Sequence, residues 1–377
     1  MELKTPYFVI RDSLLSENTL GFREALDKVW PGSILAYSVK TNALPWILKR
    51  MKGHGVYAEV VSDEEYEVAL LSGFTDSQIV FNGPIKGKET FLRAISGGAY
   101  VNIDSERELS YIQELPAGSF LGNIGVRVNV DPGIFDPADV GYQEDGFRFG
   151  FSVENGELER ALGVLEPLCG KRAGLHLHVN SVTRSVAVYR AIASYAAGII
   201  RKYGLEPSFI DIGGGFFGGV PGKTTPEEYI CAIREKLSGV VDVSSTKLII
   251  EPGSGIIGSA VELHTTVLDV KDTGRARIVT TDGSRVFIDP LWLKKGYNYI
   301  VFPFFADDAD AGSASAAGSA SVASGGNDAE LPFADVHPRQ VVCGYTCMDH
   351  DRIMVIENQP TLGVGDRIVY RRVGITP

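Results

Sequence analysis

The sequence predicts an α/β protein: a (β/α)8 barrel of the TIM type, followed by a C-terminal all-β domain built as a sandwich or barrel. Three observations carry this. Eight short apolar runs, at 34–39, 56–61, 78–81, 99–103, 124–130, 174–179, 208–212 and 247–250, have the length and composition of buried strands. Stretches with helical spacing of apolar residues lie between them, for example 63–71, 88–95, 186–202 and 226–237. Beyond about residue 260 the helical spacing ends, and strand-like runs follow one another directly.

Taken in order, Pro6 to Ile10 reads as a short strand, and 15–29 as an amphipathic helix stopped by Pro31-Gly32. Parallel strands need a crossover of a dozen or more residues, and the alternation of eight strands with helices supplies it. A doubly wound open sheet is the alternative; the count of eight and the lack of a dinucleotide fingerprint lower it. The gap from 130 to 174 is expected to hold an extended loop and one helix. After it come a strand over Val261 to Val270, a turn at Asp272-Thr273-Gly274, and further strands at 276–279, 340–342 and 367–371. The barrel is therefore assigned to 28–260, and the β domain to 1–27 plus 261–377, with the strand at 6–10 joining it. Residues 306–330 are nearly all Ala, Ser, Gly and Asp, too poor in apolar surface to offset ordering entropy, so they read as a flexible insertion.

At 377 residues, 44% apolar and 22% charged, the chain has ordinary globular composition. A net charge of -11 argues against nucleic acid or an anionic membrane as partner. No run of about 20 apolar residues is present to span a bilayer. Met1 to Pro6 lacks the basic and apolar regions of a signal peptide, so a cytoplasmic location is expected. Four cysteines are too few for a disulfide framework, and Cys343, Cys347 and His350 are too few ligands for structural zinc; no metal is expected.

Active sites of such barrels lie at the carboxyl ends of the strands, and polar residues collect there. The first strand ends in Lys40, where burial would lower the ammonium pKa and free a nucleophilic amine; a strand-end lysine that only snorkels to solvent is the alternative. Glu59, Asn82 and Arg127 stand at later ends. His176 and His178 share one face if extended; His178, nearer the loop and close to Ser181, is assigned function, and His176 structure. Gly213, Gly214 and Gly215 leave backbone N–H groups open to an anion, beside Gly253, where barrels bind phosphate. Gly222-Lys223-Thr224 mimics a nucleotide loop, but its earlier glycine falls on Phe217. Glu251, if buried, needs a cationic partner, and a protonated ring nitrogen would serve. A Schiff-base lysine, a phosphate cradle, a stacking histidine and a buried carboxylate together describe a pyridoxal phosphate site.

The segments YSVKTN, HLHVNS, DIGGG, EPG and CGYTCMDHD occur in this order, and on them the chain resembles the ornithine/diaminopimelate/arginine decarboxylase family. That family comprises fold type III pyridoxal phosphate enzymes with an alanine-racemase-like barrel and a C-terminal β domain. The resemblance implies that Lys40 holds the cofactor as a Schiff base, that Glu251 keeps its ring nitrogen protonated, and that His178 stacks on the ring. It places Ser181, Gly213, Gly214 and Gly215 on the phosphate, with Gly253 and Ser254 after the eighth strand. Glu59 falls where the family has an aspartate, and Arg127 matches a barrel arginine near the cofactor. It also implies a head-to-tail homodimer in which Cys347 reaches the other copy's site and protonates the product, and in which Asp349 or Asp351 meets substrate.

Three departures bear on how tightly the cofactor is held: Ser254 replaces an arginine, Asn180 replaces a glycine, and Arg372 to Pro377 stops where relatives carry a tyrosine. A fourth bears on substrate. Met348 stands where diamino-acid decarboxylases carry an acidic residue, and a thioether cannot pair with an ammonium. The expected activity is decarboxylation of an α-amino acid, larger or conjugated rather than plain ornithine or lysine. A racemase of the same fold and a silent, antizyme-inhibitor-like binding protein are the alternatives.

Overall fold

The computed structural model describes residues 3–374 apart from 117, 118, 120, 121, 142–144, 293, 295, 305–320 and 323–334. The insertion expected at 306–330 therefore lies outside the described residues, except for the backbone of Ser321 and Val322. The chain divides into two units, residues 16–256 and residues 1–15 with 257–377. The sequence reading placed these boundaries at 27/28 and 260/261; the long first helix carries the difference. Among the described residues no helix is long and apolar enough to cross a membrane.

The chain begins with β1 (Tyr7–Ile10) and α1 (Asp12–Val29), then enters the repeat: β2 (Ile34–Ser38), α2 (Pro45–Gly53), β3 (Tyr57–Val60), α3 (Asp63–Leu71), β4 (Ile79–Phe81), α4 (Lys88–Ser96), β5 (Tyr100–Ile103), α5 (Glu106–Gln113) and β6 (Ile124–Asn129). It continues through α6 (Pro137–Val140), β7 (Phe151–Ser152), α7 (Glu157–Cys169), β8 (Gly174–His176), α8 (Val186–Tyr203), β9 (Phe209–Asp211), α9 (Pro226–Leu237), β10 (Lys247–Ile250) and α10 (Ser254–Ile257). The segment from 130 to 174 thus carries two helices and a short strand rather than one helix. Helix starts use ordinary chemistry: Thr225 and Glu228 form a reciprocal cap at α9, with Pro226 in its first turn.

Eight of these strands close a parallel barrel. The order is β5-β4-β3-β2-β10-β9-β8-β6, and β6 pairs back to β5; β7 attaches to β6 outside the ring. Side chains alternate along a strand, so one set points inward. Ile34, Ala36, Val80, Tyr100, Phe209 and Ile249 form a buried cluster there, with Tyr57 packed against it. Gly125 and Gly174 make room for it: a Cβ on either would stand within 2.8 and 2.3 Å of the Phe209 ring. Two residues further along each strand the inward position turns polar, giving Ser38, Glu59, Asn82, Asn102, Arg127, His176, Asp211 and Glu251, one from each strand in turn and all buried. An apolar plug thus carries a polar layer at the carboxyl end.

The other unit is one sheet. Its strands are β11 (Val261–Asp272), β12 (Arg277–Thr281), β13 (Asn298–Phe302), β14 (Ser321–Val322), β15 (Val336–Cys343), β16 (Arg352–Pro360) and β17 (Arg367–Arg371). They run in the order β14-β13-β17-β11-β12-β15-β16, and β1 pairs antiparallel with β11. The early strand at 7–10 thus joins this sheet rather than the barrel.

Candidate active site

Lys40 follows β2 on a single 3-10 turn, Val39–Thr41, and lines a cavity of about 480 Å³ with Arg127, Arg148, Phe149, His178 and Asn180. Its side chain is half-exposed, and its Nζ lies 3.8 Å from Oε2 of the buried Glu59. The attraction of Glu59 outweighs burial and raises the ammonium pKa. This corrects the expectation of a lowered one: the sequence does not reveal that a carboxylate faces the lysine.

The polar layer is a connected network. Ser38 donates to Glu59 Oε2 (2.6 Å), and Asn82 Nδ2 donates to Glu59 Oε1 (3.1 Å) and Glu251 Oε1 (2.6 Å). Asn102 Nδ2 donates to Asn82 Oδ1 (2.8 Å) and Asp211 Oδ2 (3.0 Å), and the Gly213 N–H donates to Asp211 Oδ1 (2.9 Å). Burial, with the carboxylates of Asp211 and Glu59 nearby, pushes Glu251 well above the usual carboxylate range. Burial pushes Asp211 up to about 7. Arg127 pairs with Asp104 at 3.2 Å and lies 4.2 Å over the Phe149 ring.

Strand β8 ends at His176, so His178 stands in the following loop rather than on the strand as the sequence suggested. The two rings remain nearly parallel, 6.5 Å apart. The Gly214 N–H donates to His178 Nδ1 at 3.3 Å, which leaves any ring proton on Nε2. Burial, reinforced by Lys40 and Arg127, lowers the His178 pKa to about 3, so the imidazole is a neutral flat face. Gly213 adopts φ +70°, and a Cβ there would meet His178 Nδ1 at 2.4 Å. Only glycine lets this loop lie against the ring. Gly215 follows in the same loop, while Gly253 and Ser254 lead into α10.

Two of the expected site residues have their polar atoms engaged by neighbouring loops. The Ser181 hydroxyl donates to the Asp139 carbonyl (3.2 Å) and accepts from the Arg184 N–H (2.7 Å), so it is spent holding its own loop. Asp351 is buried in the β unit and its carboxylate accepts from Ser284 Oγ, the Arg285 N–H, and the Thr346 N–H and hydroxyl. Such a carboxylate orders the β15–β16 loop and has little capacity left for a substrate ammonium. Cys347, Met348 and Asp349 on the same loop are exposed.

The structure brings together Lys40, Glu59, Asn82, Arg127, His178, Gly213, Gly214 and Glu251, and adds Ser38, Asn102 and Asp211. Period-two counting forward along each strand from the plug, toward its carboxyl end, finds these three. Behind them sits a wholly buried lysine, Lys86, which the sequence reading passed over. It donates to the Gly83 carbonyl (2.9 Å), the Asn102 carbonyl (2.8 Å) and Glu108 Oε2 (3.0 Å). Nothing in its polar surroundings at 85–89 marks it as buried.

These residues fit the cofactor that the motifs imply. A flat neutral imidazole, a glycine loop pressed against it, a lysine at the cavity wall and a buried carboxyl without its own cation match an aromatic ring nitrogen, a phosphate and an aldehyde.

The family model described as "pyridoxal-dependent decarboxylase, pyridoxal binding domain" matches residues 16–258. The probable chloroplastic diaminopimelate decarboxylase of Oryza sativa subsp. japonica is 28% identical, covering 92% of this chain and 72% of its own length. The diaminopimelate decarboxylase of Archaeoglobus fulgidus is 30% identical, covering 77% and 70%. Among solved structures, diaminopimelate decarboxylase from M. jannaschii superposes with a TM-score of 0.75 at 23% identity, over 99% of this chain and 83% of that one. Arginine decarboxylase of Paramecium bursaria Chlorella virus gives 0.75 at 18%, over 99% and 91%. These structures share the fold. With the family model spanning the barrel, the chain belongs to the pyridoxal-dependent decarboxylases, carboxy-lyases whose cofactor is pyridoxal phosphate.

Proposed function

We propose that this amino-acid decarboxylase acts on an α-amino acid carrying a second anionic group at its far end, with diaminopimelate as the first substrate to test. The observation that carries this is Arg148. It lines the cavity, stacks 4.4 Å over Phe149, and has no carboxylate partner among the described residues, whereas Arg127 is tied to Asp104. An unpaired guanidinium at a cavity wall is suited to a carboxylate or phosphate. The relatives named diaminopimelate decarboxylases support the reading. Met348, which cannot pair with an ammonium, supports the exclusion of plain ornithine and lysine, and a conjugated amino acid with a distal phosphate fits the same cavity chemistry.

Bound pyridoxal phosphate supplies the electron sink for the pair left when CO2 departs. The chain's residues prepare that step. Glu251 would serve the ring nitrogen, and the neutral face of His178 would pack on the ring. Of the three glycines expected to leave their N–H groups open, Gly213 and Gly214 donate to Asp211 and His178, so Gly215 is the one whose N–H would serve the phosphate. Glu59, 3.8 Å from Lys40 Nζ, is a carboxylate placed to accept the proton that Lys40 must lose before its amine can react. The exposed thiol of Cys347 is offered by a second copy to return a proton to the product.

CO2 release from diaminopimelate tests the substrate. Arg148→Gln is expected to raise KM by about 10- to 100-fold, the loss of one charge-assisted hydrogen bond, with kcat nearly unchanged. An unchanged KM, or faster turnover of ornithine, removes the distal-anion reading. Mixing inactive Lys40→Ala with inactive Cys347→Ala tests the shared site: mixed dimers keep one intact site, restoring about a quarter of the wild-type rate. No recovery on mixing assigns Cys347 to its own copy, and full activity of Cys347→Ala alone removes its catalytic role.

A further inference from the structure

We propose that Asp211 is the proton-sharing partner of Glu251: the two buried carboxyl groups hold one proton between them, and Glu251 delivers it to the cofactor's ring nitrogen on binding. The inference rests on the family's cofactor, not on the substrate proposed above.

The arrangement is one of charge inventory. Asp211 (0% exposed) and Glu251 (4%) end neighbouring strands of the barrel, and with His176 they offer polar atoms all within 4.8 Å of one another. Every cation nearby has a closer carboxylate. Lys40 stands 3.8 Å from Glu59, Arg127 pairs with Asp104 at 3.2 Å, and Lys86 pairs with Glu108 at 3.0 Å. The remaining inward groups, Ser38, Asn82 and Asn102, are neutral. Asp211 and Glu251 are therefore left without an ion-pair partner among the described residues. Two adjacent carboxylates in so dry a place repel strongly, and retaining one proton removes the repulsion.

The hydrogen bonds say where the proton sits. Asp211 accepts from the Gly213 N–H and from Asn102 Nδ2, two donors that stabilise its anion. Among the described residues the Glu251 carboxyl accepts from Asn82 alone, and Asn82 is shared with Glu59. The proton thus belongs to Glu251 and faces Asp211. His176 does not compete: both ring nitrogens are buried without a hydrogen-bond partner among the described residues, and burial with nearby Arg127 holds its pKa well below the usual value. His178 Nδ1 is occupied by the Gly214 N–H.

On cofactor binding the Glu251 O–H bond breaks and an N–H bond forms on the ring nitrogen. Glu251 becomes the anion beside a ring cation, while Asp211 remains a carboxylate held by Gly213 and Asn102. No proton is drawn from solvent for this step. With asparagine at 211, Glu251 loses one of its two anionic neighbours, burial and Glu59 remaining, and so gives up its proton to solvent more readily before the cofactor binds; more of the ring proton must then come from solvent.

The test is calorimetric titration of the cofactor-free full chain with 4′-deoxypyridoxine 5′-phosphate, which lacks the aldehyde and cannot bond Lys40. Repeating it in buffers of different ionisation enthalpy counts protons taken up. Asp211→Asn is expected to take up more protons per ligand than wild type, by up to about one, and Asp211→Glu to restore the wild-type count. Equal counts in wild type and Asp211→Asn overturn the proposal. Should Asp211→Asn fail to fold, infrared difference spectra of the wild type decide. A protonated-carboxyl C=O band that disappears on binding supports the shared proton, and absence of that band refutes it. No amino-acid substrate is used, so failure here is separate from failure of the substrate reading.

Discussion

Lys40→Ala is expected to lower kcat for decarboxylation by at least about 10²–10⁴-fold, the range for removing a group that bonds substrate or moves its protons. Lys40 is the lysine that lines the cavity, and Glu59 holds its charged form there, 3.8 Å away. The fold should be indifferent to the change. The side chain is half-exposed on a short 3-10 turn and its ion pair is long, so the melting temperature should stay within a few degrees of wild type. Single-turnover kinetics with melting curves separates the two effects. Loss of activity together with loss of fold would recast Lys40 as structural.

Lys86→Ala is expected to destabilise the protein by about 3–5 kcal/mol, the range for removing one member of a buried ion pair. Lys86 is fully buried, with all three ammonium protons taken by the Gly83 and Asn102 carbonyls and by Glu108. Burial lowers its pKa and raises that of Glu108, opposed by the attraction between them. Truncation leaves a buried Glu108 without its cation and frees the loop that carries Asn82. Urea unfolding measures the change. Replacing both partners by apolar residues, Lys86→Met with Glu108→Leu, should recover most of the stability, because paired removal leaves no orphaned charge. A loss below about 1 kcal/mol for Lys86→Ala would place the pair among weak surface contacts.

The barrel was legible because its physics is local. Each strand is short, apolar and buried on both faces, and each parallel pair needs a helix between, so eight runs with helical spacers leave few topologies. Glu251 and Gly213 stand just past strand ends, where the sequence places them, whereas His178 stands in the loop beyond its strand. What the sequence hides is pairing across strands. Lys40 looks like a lysine whose pKa burial would lower until Glu59 is seen opposite it. Asp351 looks like a substrate ligand until Ser284, Arg285 and Thr346 are seen to occupy its oxygens. Lys86 looks exposed in a polar stretch, and only three converging acceptors reveal it as buried. Ser181, assigned to phosphate, spends its hydroxyl on Asp139 and Arg184. The second helix and short strand between 130 and 174 were missed because β7 is two residues long, too brief for periodicity to register.

The measurement that most directly tests Lys40 as the cofactor's attachment point is borohydride reduction of the purified protein, followed by proteolysis and mass spectrometry. Wild type should show a near-visible absorption band that borohydride abolishes, and the reduced pyridoxyl group should be found on the peptide containing Lys40. Lys40→Ala should show neither. A label on another lysine, or an unchanged band in Lys40→Ala, would contradict the assignment and move the reacting centre elsewhere in the barrel.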